Sequence, residues 1–396
     1  MGLFLLLIGV SFFLEPLTGD LTRLGWYSER NFGWNQPQQV FETENFSRET
    51  TYLRYADLVV IGDSFSFGRT GYQWQDFFIT QSGLSVATFF SYAGDPRFGD
   101  LQFNDQLLST IVHSAAFQQT PPRVVVFQKV ERMLDSIGDS VGDCQANKSS
   151  AQPLSIGMRQ TSSHYSMQPV FREKYAWSSG SVAYAAQFIN KHIFSLRTRN
   201  TVKQMELDVS GLFSNRKSNK LLIYGMEQDK ASWNADKIEQ IKCTLLDMQN
   251  KVQANEKTLF VAMIVPDKLT VYSHHLVDRT YANLSVFDAL AAGQSLNLVR
   301  LDWAMQAAID KGMIDIYLPD DTHWGYRGHQ IAAASLVEYL RTLSEAHGNP
   351  AMTGVTPVIN EHNSAADNST ASIRIPSRKC CTNGAVTYSS TSAARK

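Results

Sequence analysis

Ser64 and His323 are the side chains whose types and settings could carry out covalent chemistry. Ser64 stands in Leu58-Val59-Val60-Ile61-Gly62-Asp63-Ser64-Phe65-Ser66-Phe67-Gly68, where an apolar, mostly β-branched run meets a glycine, an acid and a serine. His323 stands in Asp320-Asp321-Thr322-His323-Trp324, closely preceded by two acids. A serine hydroxyl attacks poorly until a base takes its proton, and a histidine base works best when a third group fixes its tautomer. The two stretches together hold a nucleophile, a base and an acid, the parts needed for acyl transfer. None of the other histidines has a comparable acid-x-His setting. Spacing alone leaves the acid open between Asp320 and Asp321. The plain alternatives are that Gly-Asp-Ser is common turn chemistry and that His323 caps the helix that follows it.

For Ser64 and His323 to meet, the chain must bring two distant loops to one place. The run ending at Ile61 predicts a fully buried strand over about 57–62, and a serine at the carboxyl end of an inner α/β strand sits where such folds collect ligands. Further strands are predicted over 85–90, 124–127, 259–265 and 298–301. Helices are predicted over about 72–79, where Trp74, Phe77 and Phe78 keep i, i+3, i+4 spacing, and over 101–118, 233–253 and 328–344. This alternation predicts an α/β fold, a parallel sheet of about five strands with helices on both faces. In a doubly wound sheet the loop before the last helix and the loop after the first strand can share the carboxyl edge. Residues 136–220 are rich in Ser, Gly, Asn and Gln, with only 182–205 helical in pattern, and read as a long insertion of the kind that shapes a substrate groove.

At 396 residues with 43% hydrophobic and 11% aromatic content, the chain can bury one large core. A formal net charge of −1 argues against a nucleic-acid partner. The apolar run 2–14 has the length of a signal-peptide core and is shorter than the ~20 residues that span a bilayer. Residues 1–17 therefore read as a trimmed signal anchor or signal peptide, or else as a buried helix, and the first of these implies export. Residues 18–50 read as an extended lead-in on the domain surface, 51–345 as the main domain and 346–396 as a low-complexity tail. Cys144, Cys243, Cys380 and Cys381 show no metal-ligand spacing; their even number suits an oxidising compartment, and Cys144 and Cys243 could pair.

Gly62-Asp63-Ser64, Gly94 after the second strand and an acid shortly before a late histidine resemble the SGNH/GDSL hydrolase superfamily. More narrowly, Asp321-Thr322-His323-Trp324, the Val265-Pro266-Asp267-Lys268 turn followed by Tyr272, and Glu131-Arg132 after the third strand resemble the alginate O-acetyltransferase-like SGNH proteins of bacterial exopolysaccharide machines. The resemblance covers roughly 50–345. It implies a flavodoxin-like sheet, no cofactor and no metal, with Ser64 as nucleophile, His323 as general base and Asp321 as its orienter. That subfamily uses Asp-x-His-Trp, whereas esterases of the superfamily use Asp-x-x-His, which would select Asp320. The resemblance also makes the backbone N–H groups of Ser64 and Gly94 the oxyanion donors, with Arg97 assisting. The chain departs from the pattern at Gln128-Lys129-Val130-Glu131-Arg132, which lacks the Asn that completes the oxyanion hole in most of the superfamily. Lys129 or Arg132 could stand in for it, or Glu131-Arg132 could be a structural ion pair. Lys268 and Tyr272 could line the groove.

The implied activity is transfer of an acetyl group, held as an ester on Ser64, to a hydroxyl of an exported polysaccharide such as alginate. The implied donor is a membrane-embedded O-acyltransferase partner. The implied location is the periplasm, with anchoring to the inner membrane through the N-terminus. A carbohydrate acetylesterase using the same three residues, and a non-catalytic polysaccharide-binding scaffold, are the alternatives.

Overall fold

The structure is a computed structural model that describes residues 2–12, 17–68, 71–91, 104–137, 165–172, 181–182, 185–186, 189, 201–282, 284–294 and 296–346. The strands among these residues are β1 (Gln38–Phe41), β2 (Ser47–Glu49), β3 (Leu58–Gly62), β4 (Val86–Phe90), β5 (Val124–Val130), β6 (Met167–Val170), β7 (Val202–Glu206), β8 (Lys220–Tyr224) and β9 (Leu259–Val265). Five of them form one parallel sheet in the order β2-β4-β3-β5-β9.

Strands covered on both faces need apolar residues at every position, and β3, β5 and β9 are buried throughout. Their side chains divide with period two. Leu58, Val60, Val126, Val261 and Met263 enter one core with Trp74, Phe78, Leu336 and Val337, while Val59, Ile61, Val125, Phe127 and Phe260 enter a second core with Ile111, Leu245 and Met248. The first core lies under helices Trp74–Ser82, Leu301–Asp310 and Tyr326–Ala346, and the second under Asn104–Val112 and Ala235–Gln253. From β3 the chain crosses one face to β4, then returns over the other face to β5. Strand order thus reverses at the β3/β5 border, and the loops leaving those two strands open a crevice at the carboxyl edge.

The sheet has the expected five strands, but one differs from expectation. The 298–301 stretch makes one parallel bridge, Leu298 to Ala262, because helix Leu301–Asp310 begins before a second can form. The fifth strand is β2 at the opposite edge, where polar Ser47-Arg48-Glu49 gave no strand signal. The 182–205 stretch is also not one helix. Residues 181–182, 185–186 and 189 are helical, and Val202–Glu206 is β7, paired antiparallel with the apolar β8. A second antiparallel pair joins β1 to β6.

The lead-in folds as two short helices, Asp20–Gly25 and Glu29–Phe32, whose Leu21 and Phe32 pack on Val202 and Leu222. Gly2–Ser11 is helical, and no described helix is long and apolar enough to cross a membrane. Cys243 is disulfide-bonded. The low-complexity tail beyond 346, most of the insertion, and Cys144, Cys380 and Cys381 lie outside the described residues.

Candidate active site

β3 ends at Gly62, and the chain turns directly into the short helix Ser64–Phe67. Gly62 is required by close approach: a Cβ there would meet Ser66 Oγ at 2.5 Å and Gln128 Oε1 at 2.8 Å. Asp63, 3% exposed, caps the helix by accepting the Phe65 N–H at 3.0 Å and then reaches across the crevice to β5. Its carboxylate accepts Gln128 Nε2 and the Val130 N–H, both at 2.8 Å, while its own N–H donates to Gln128 Oε1 at 3.1 Å. Ser66 Oγ donates to the same Oε1 at 2.6 Å and accepts Trp74 Nε1 at 2.9 Å. Ser64 therefore stands on a turn fixed from both sides, its hydroxyl outside this buried network.

The partner loop, 317–324, is closed on itself. Tyr317 and Trp324 form an antiparallel bridge, the Leu318 N–H donates to His323 O at 3.1 Å, and the Asp321 N–H donates to Leu318 O at 3.3 Å. Within that loop Asp321 Oδ1 accepts the His323 N–H at 3.0 Å and lies 2.7 Å from His323 Nδ1. His323 Nε2 lies 2.8 Å from Ser64 Oγ. A carboxylate can only accept, so the imidazole proton is on Nδ1 and Nε2 is free to accept from the serine. The Phe65 ring packs 4.8 Å from the imidazole and 4.9 Å from Trp324, which sets the plane of the histidine.

Electrostatics fits this arrangement. Burial pushes Asp321 upward, but its hydrogen bonds and charge interaction with His323 and the Asp20 N–H hold it well below the usual carboxylate range. Burial pulls His323 down, but the Asp321 hydrogen bond and the charges of Asp321 and Asp20 outweigh it and raise it above 6.5. Asp320 does not face the histidine. It is 2% exposed, and burial together with the charges of Glu29 and Asp321 pushes it well above the usual carboxylate range. Between the two acids that spacing allows, the geometry selects Asp321.

Arg132 and Lys268 occupy different places from those a groove would give them. Arg132 donates to Asp267 at 2.7 Å, and Lys230 bridges Asp267 (2.7 Å) and Glu131 (2.6 Å). Glu131 and Arg132 thus do not pair with each other; both belong to one buried ionic cluster below the site. The Lys268 amine is buried and donates to Leu318 O at 2.9 Å and Asp321 O at 3.0 Å. It holds the histidine loop from beneath, and burial brings it down to about 8 despite the nearby carboxylates. Tyr272 is fully buried, its ring against Phe213. Lys129 is 2% exposed, and burial lowers it. Gly94 and Arg97 lie outside the described residues. The Ser64 N–H, in the first turn of its helix, has no intrahelical partner and is an available oxyanion donor.

Sequence reasoning missed Gln128 and Asp20. Gln128 carried one signal, a polar residue continuing a fully apolar strand. Asp20 carried none: its N–H donates to Asp321 Oδ2 at 3.1 Å across 301 positions. Ligand atoms of Asp20, Asp321 and His323 lie within 4.8 Å of one another, close enough for a cation, but both His323 nitrogens are engaged with Asp321 and Ser64.

Residues 222–376 match the family model described as SGNH hydrolase-like domain, acetyltransferase AlgX. The matched stretch begins within β8 and runs past the last helix, so it contains Lys268, Asp321 and His323 and leaves out Ser64. It agrees with the resemblance drawn from the motifs, and the parallel α/β sheet is the fold that resemblance implies. No curated protein and no solved structure matches the chain.

Proposed function

We propose that the protein is an O-acyltransferase that carries an acetyl group on Ser64 and passes it to a hydroxyl of an exported, alginate-like polysaccharide. The observation that carries this reading is His323, whose Nε2 lies 2.8 Å from Ser64 Oγ while its Nδ1 lies 2.7 Å from Asp321. In the first half-reaction His323 takes the Ser64 proton as Oγ attacks the acetyl carbonyl. The donor's alcohol leaves with that proton, and an acetyl ester remains on Oγ. In the second half-reaction His323 takes the proton of a sugar hydroxyl as that oxygen attacks the ester carbonyl, and returns it to Oγ as the acyl–Oγ bond breaks, which restores Ser64. The Ser64 N–H is one of the donors that would stabilise each oxyanion. A donor of this kind is typically worth about 3 to 4 kcal/mol. The acetyl donor would be a membrane-embedded acyltransferase and the setting the periplasm, as the family resemblance implies.

His323 is 29% exposed, so water can also reach the base, and the same three residues would then make a carbohydrate esterase. Incubation with a chromogenic acetyl ester, with and without oligomannuronate acceptors, separates the two. Acetylated sugar recovered by mass spectrometry is the expected result. Acetate release that no acceptor diverts would assign the esterase reading. Neither product, with no acetyl adduct on Ser64, would leave the scaffold.

A further inference from the structure

Segment 18–22 of the lead-in is fastened to the histidine loop. The Leu21 and Thr22 N–H groups both donate to Asp320 O, at 2.9 and 3.2 Å, and the Asp20 N–H donates to Asp321 Oδ2 at 3.1 Å. Asp321 Oδ1 faces His323, so the two carboxylate oxygens are divided between the base and the lead-in. A carboxylate held at one oxygen can turn about its broad terminal torsion, whereas one held at both cannot.

Two further contacts show how closely the segment is seated. A Cβ on Gly19 would meet Asp320 O at 2.2 Å, although its φ of −71° and ψ of 147° suit any residue. The glycine is thus set by the neighbouring chain. Behind it, the fully buried Glu29 accepts the Thr18 and Gly19 N–H groups at 2.8 and 2.9 Å and the Thr22 hydroxyl, tying the segment to the second lead-in helix.

We infer that residues 19–22 are a clip that sets the Asp321 carboxylate on His323, with the Asp20 N–H as its positioning donor. The inference rests on the reading of Ser64, His323 and Asp321 as the reacting set. The Asp20 side chain plays a separate part. It lies 3.9 Å from His323 Nδ1 and pairs with Arg23 at 2.7 Å, so it adds field but no donor.

The two parts can be separated in the full-length chain. Asp20→Pro removes the N–H at the first position of helix Asp20–Gly25, where proline fits, after a Gly19 already in the extended conformation that proline needs. Gly19→Ala pries the segment away from Asp320, and Asp20→Ala removes the charge but keeps the N–H. The readouts are steady-state kinetics on an acetyl ester and the His323 titration midpoint by NMR. Burial lowers that midpoint, the Asp321 hydrogen bond and the charges of Asp321 and Asp20 raise it, and Arg132 opposes protonation, while His329, brought down to about 3 by burial, is neutral where His323 titrates.

Asp20→Pro and Gly19→Ala are expected to lower kcat by about 10- to 100-fold with KM within about twofold. The Gly19→Ala midpoint should fall toward 6.5, and the Asp20→Pro midpoint should fall below that of Asp20→Ala, which loses the same charge. Asp20→Ala is expected to keep kcat within about threefold. Unchanged kcat and midpoint in folded Gly19→Ala, with Asp20→Pro matching Asp20→Ala in both, would overturn the clip. An equal loss in Asp20→Ala would overturn its assignment to the backbone donor. If Asp20→Pro does not fold, Gly19→Ala decides alone. A wild-type protein without ester turnover would remove the acyl-transfer reading, and the midpoints would still decide the clip.

Discussion

Asp63 and Gln128 hold each other twice across the crevice between β3 and β5. Gln128 Nε2 donates to Asp63 Oδ1 at 2.8 Å, and the Asp63 N–H donates to Gln128 Oε1 at 3.1 Å. The residue that follows Asp63 is Ser64, so this reciprocal pair fixes the serine where strand order reverses. Gln128 stands where the superfamily pattern is broken, directly after Phe127. Its amide is spent on the buried turn, and its contribution is to place the serine.

Gln128→Ala should therefore act on both stability and rate. It leaves the Asp63 N–H without a partner, while Asp63 Oδ1 keeps the Phe65 N–H and Ser66 Oγ keeps Trp74 Nε1, and a buried polar group left unpaired costs about 1 to 3 kcal/mol. Urea unfolding is expected to show a loss in that range, and kcat on an acetyl ester should fall with it. Gln128→Glu should be worse, since it sets a second carboxylate against Asp63. A Gln128→Ala protein with wild-type stability and kcat would remove the positioning role.

Asp321 and Asp320 should separate sharply when each is changed to asparagine. Asp321→Asn can present an N–H to His323 Nδ1 and favours the wrong tautomer, a change that costs about 10⁴-fold in kcat in a serine triad. Asp320 is buried and makes no hydrogen bond to His323, and burial favours its neutral form, so Asp320→Asn swaps in an uncharged group of similar shape without touching the histidine. It should keep kcat within about threefold while shifting the melting temperature by a few degrees at most. Steady-state kinetics on both variants checks this, and comparable losses would contradict the selection of Asp321.

Much of this was legible in the sequence, and what was not has physical reasons. β3, β5 and β9 are buried on both faces, so they carry unbroken apolar runs, Leu58–Ile61, Val124–Phe127 and Leu259–Val265, that announce themselves. The Asp-x-His spacing places acid and base in one loop, so their mutual contact is local and readable. The long-range partners were hidden. Ser47-Arg48-Glu49 pairs along its backbone at a sheet edge and needs no apolar side chains. Asp20 acts through its N–H, which every residue except proline carries, so no residue type marks it. Lys268 looks like a solvated turn lysine because its acceptors are carbonyls of a loop some fifty residues away.

The pH dependence follows from His323 and Asp321. The proposed mechanism needs a neutral His323, and His323 is raised above 6.5, so kcat/KM should fall about tenfold per unit of pH below a midpoint higher than that value. Stability has two signs to combine. Asp321 is depressed in the fold, so its contribution is in place above the usual carboxylate range and lost as pH falls through the depressed value. His323 is raised, so its contribution is in place below 6.5 and lost as pH rises through the raised value. The difference in melting temperature between wild type and Asp321→Asn should be largest between these limits and shrink on both sides. An acid limb centred at or below 6.5 would contradict the pairing.

Lys268 gives a test of how the histidine loop is held. Its amine, 5.4 Å from the centre of the Phe213 ring, donates to carbonyls on both sides of the turn carrying Asp321. Lys268→Met keeps most of the stem's volume and removes those donors, leaving the Asp321 carbonyl unpaired at about 1 to 3 kcal/mol while Leu318 O keeps the Asp321 N–H. It also removes a charge whose burial is costly, which offsets part of that loss. The net change in stability should be small, while freedom gained by the loop should lower kcat by about tenfold or more with little change in KM. Denaturant titration and steady-state kinetics on the same variant measure the two effects. A loss confined to KM would instead place Lys268 against the substrate, and a variant with unaltered kcat would show that the loop's own hydrogen bonds hold Asp321 without it.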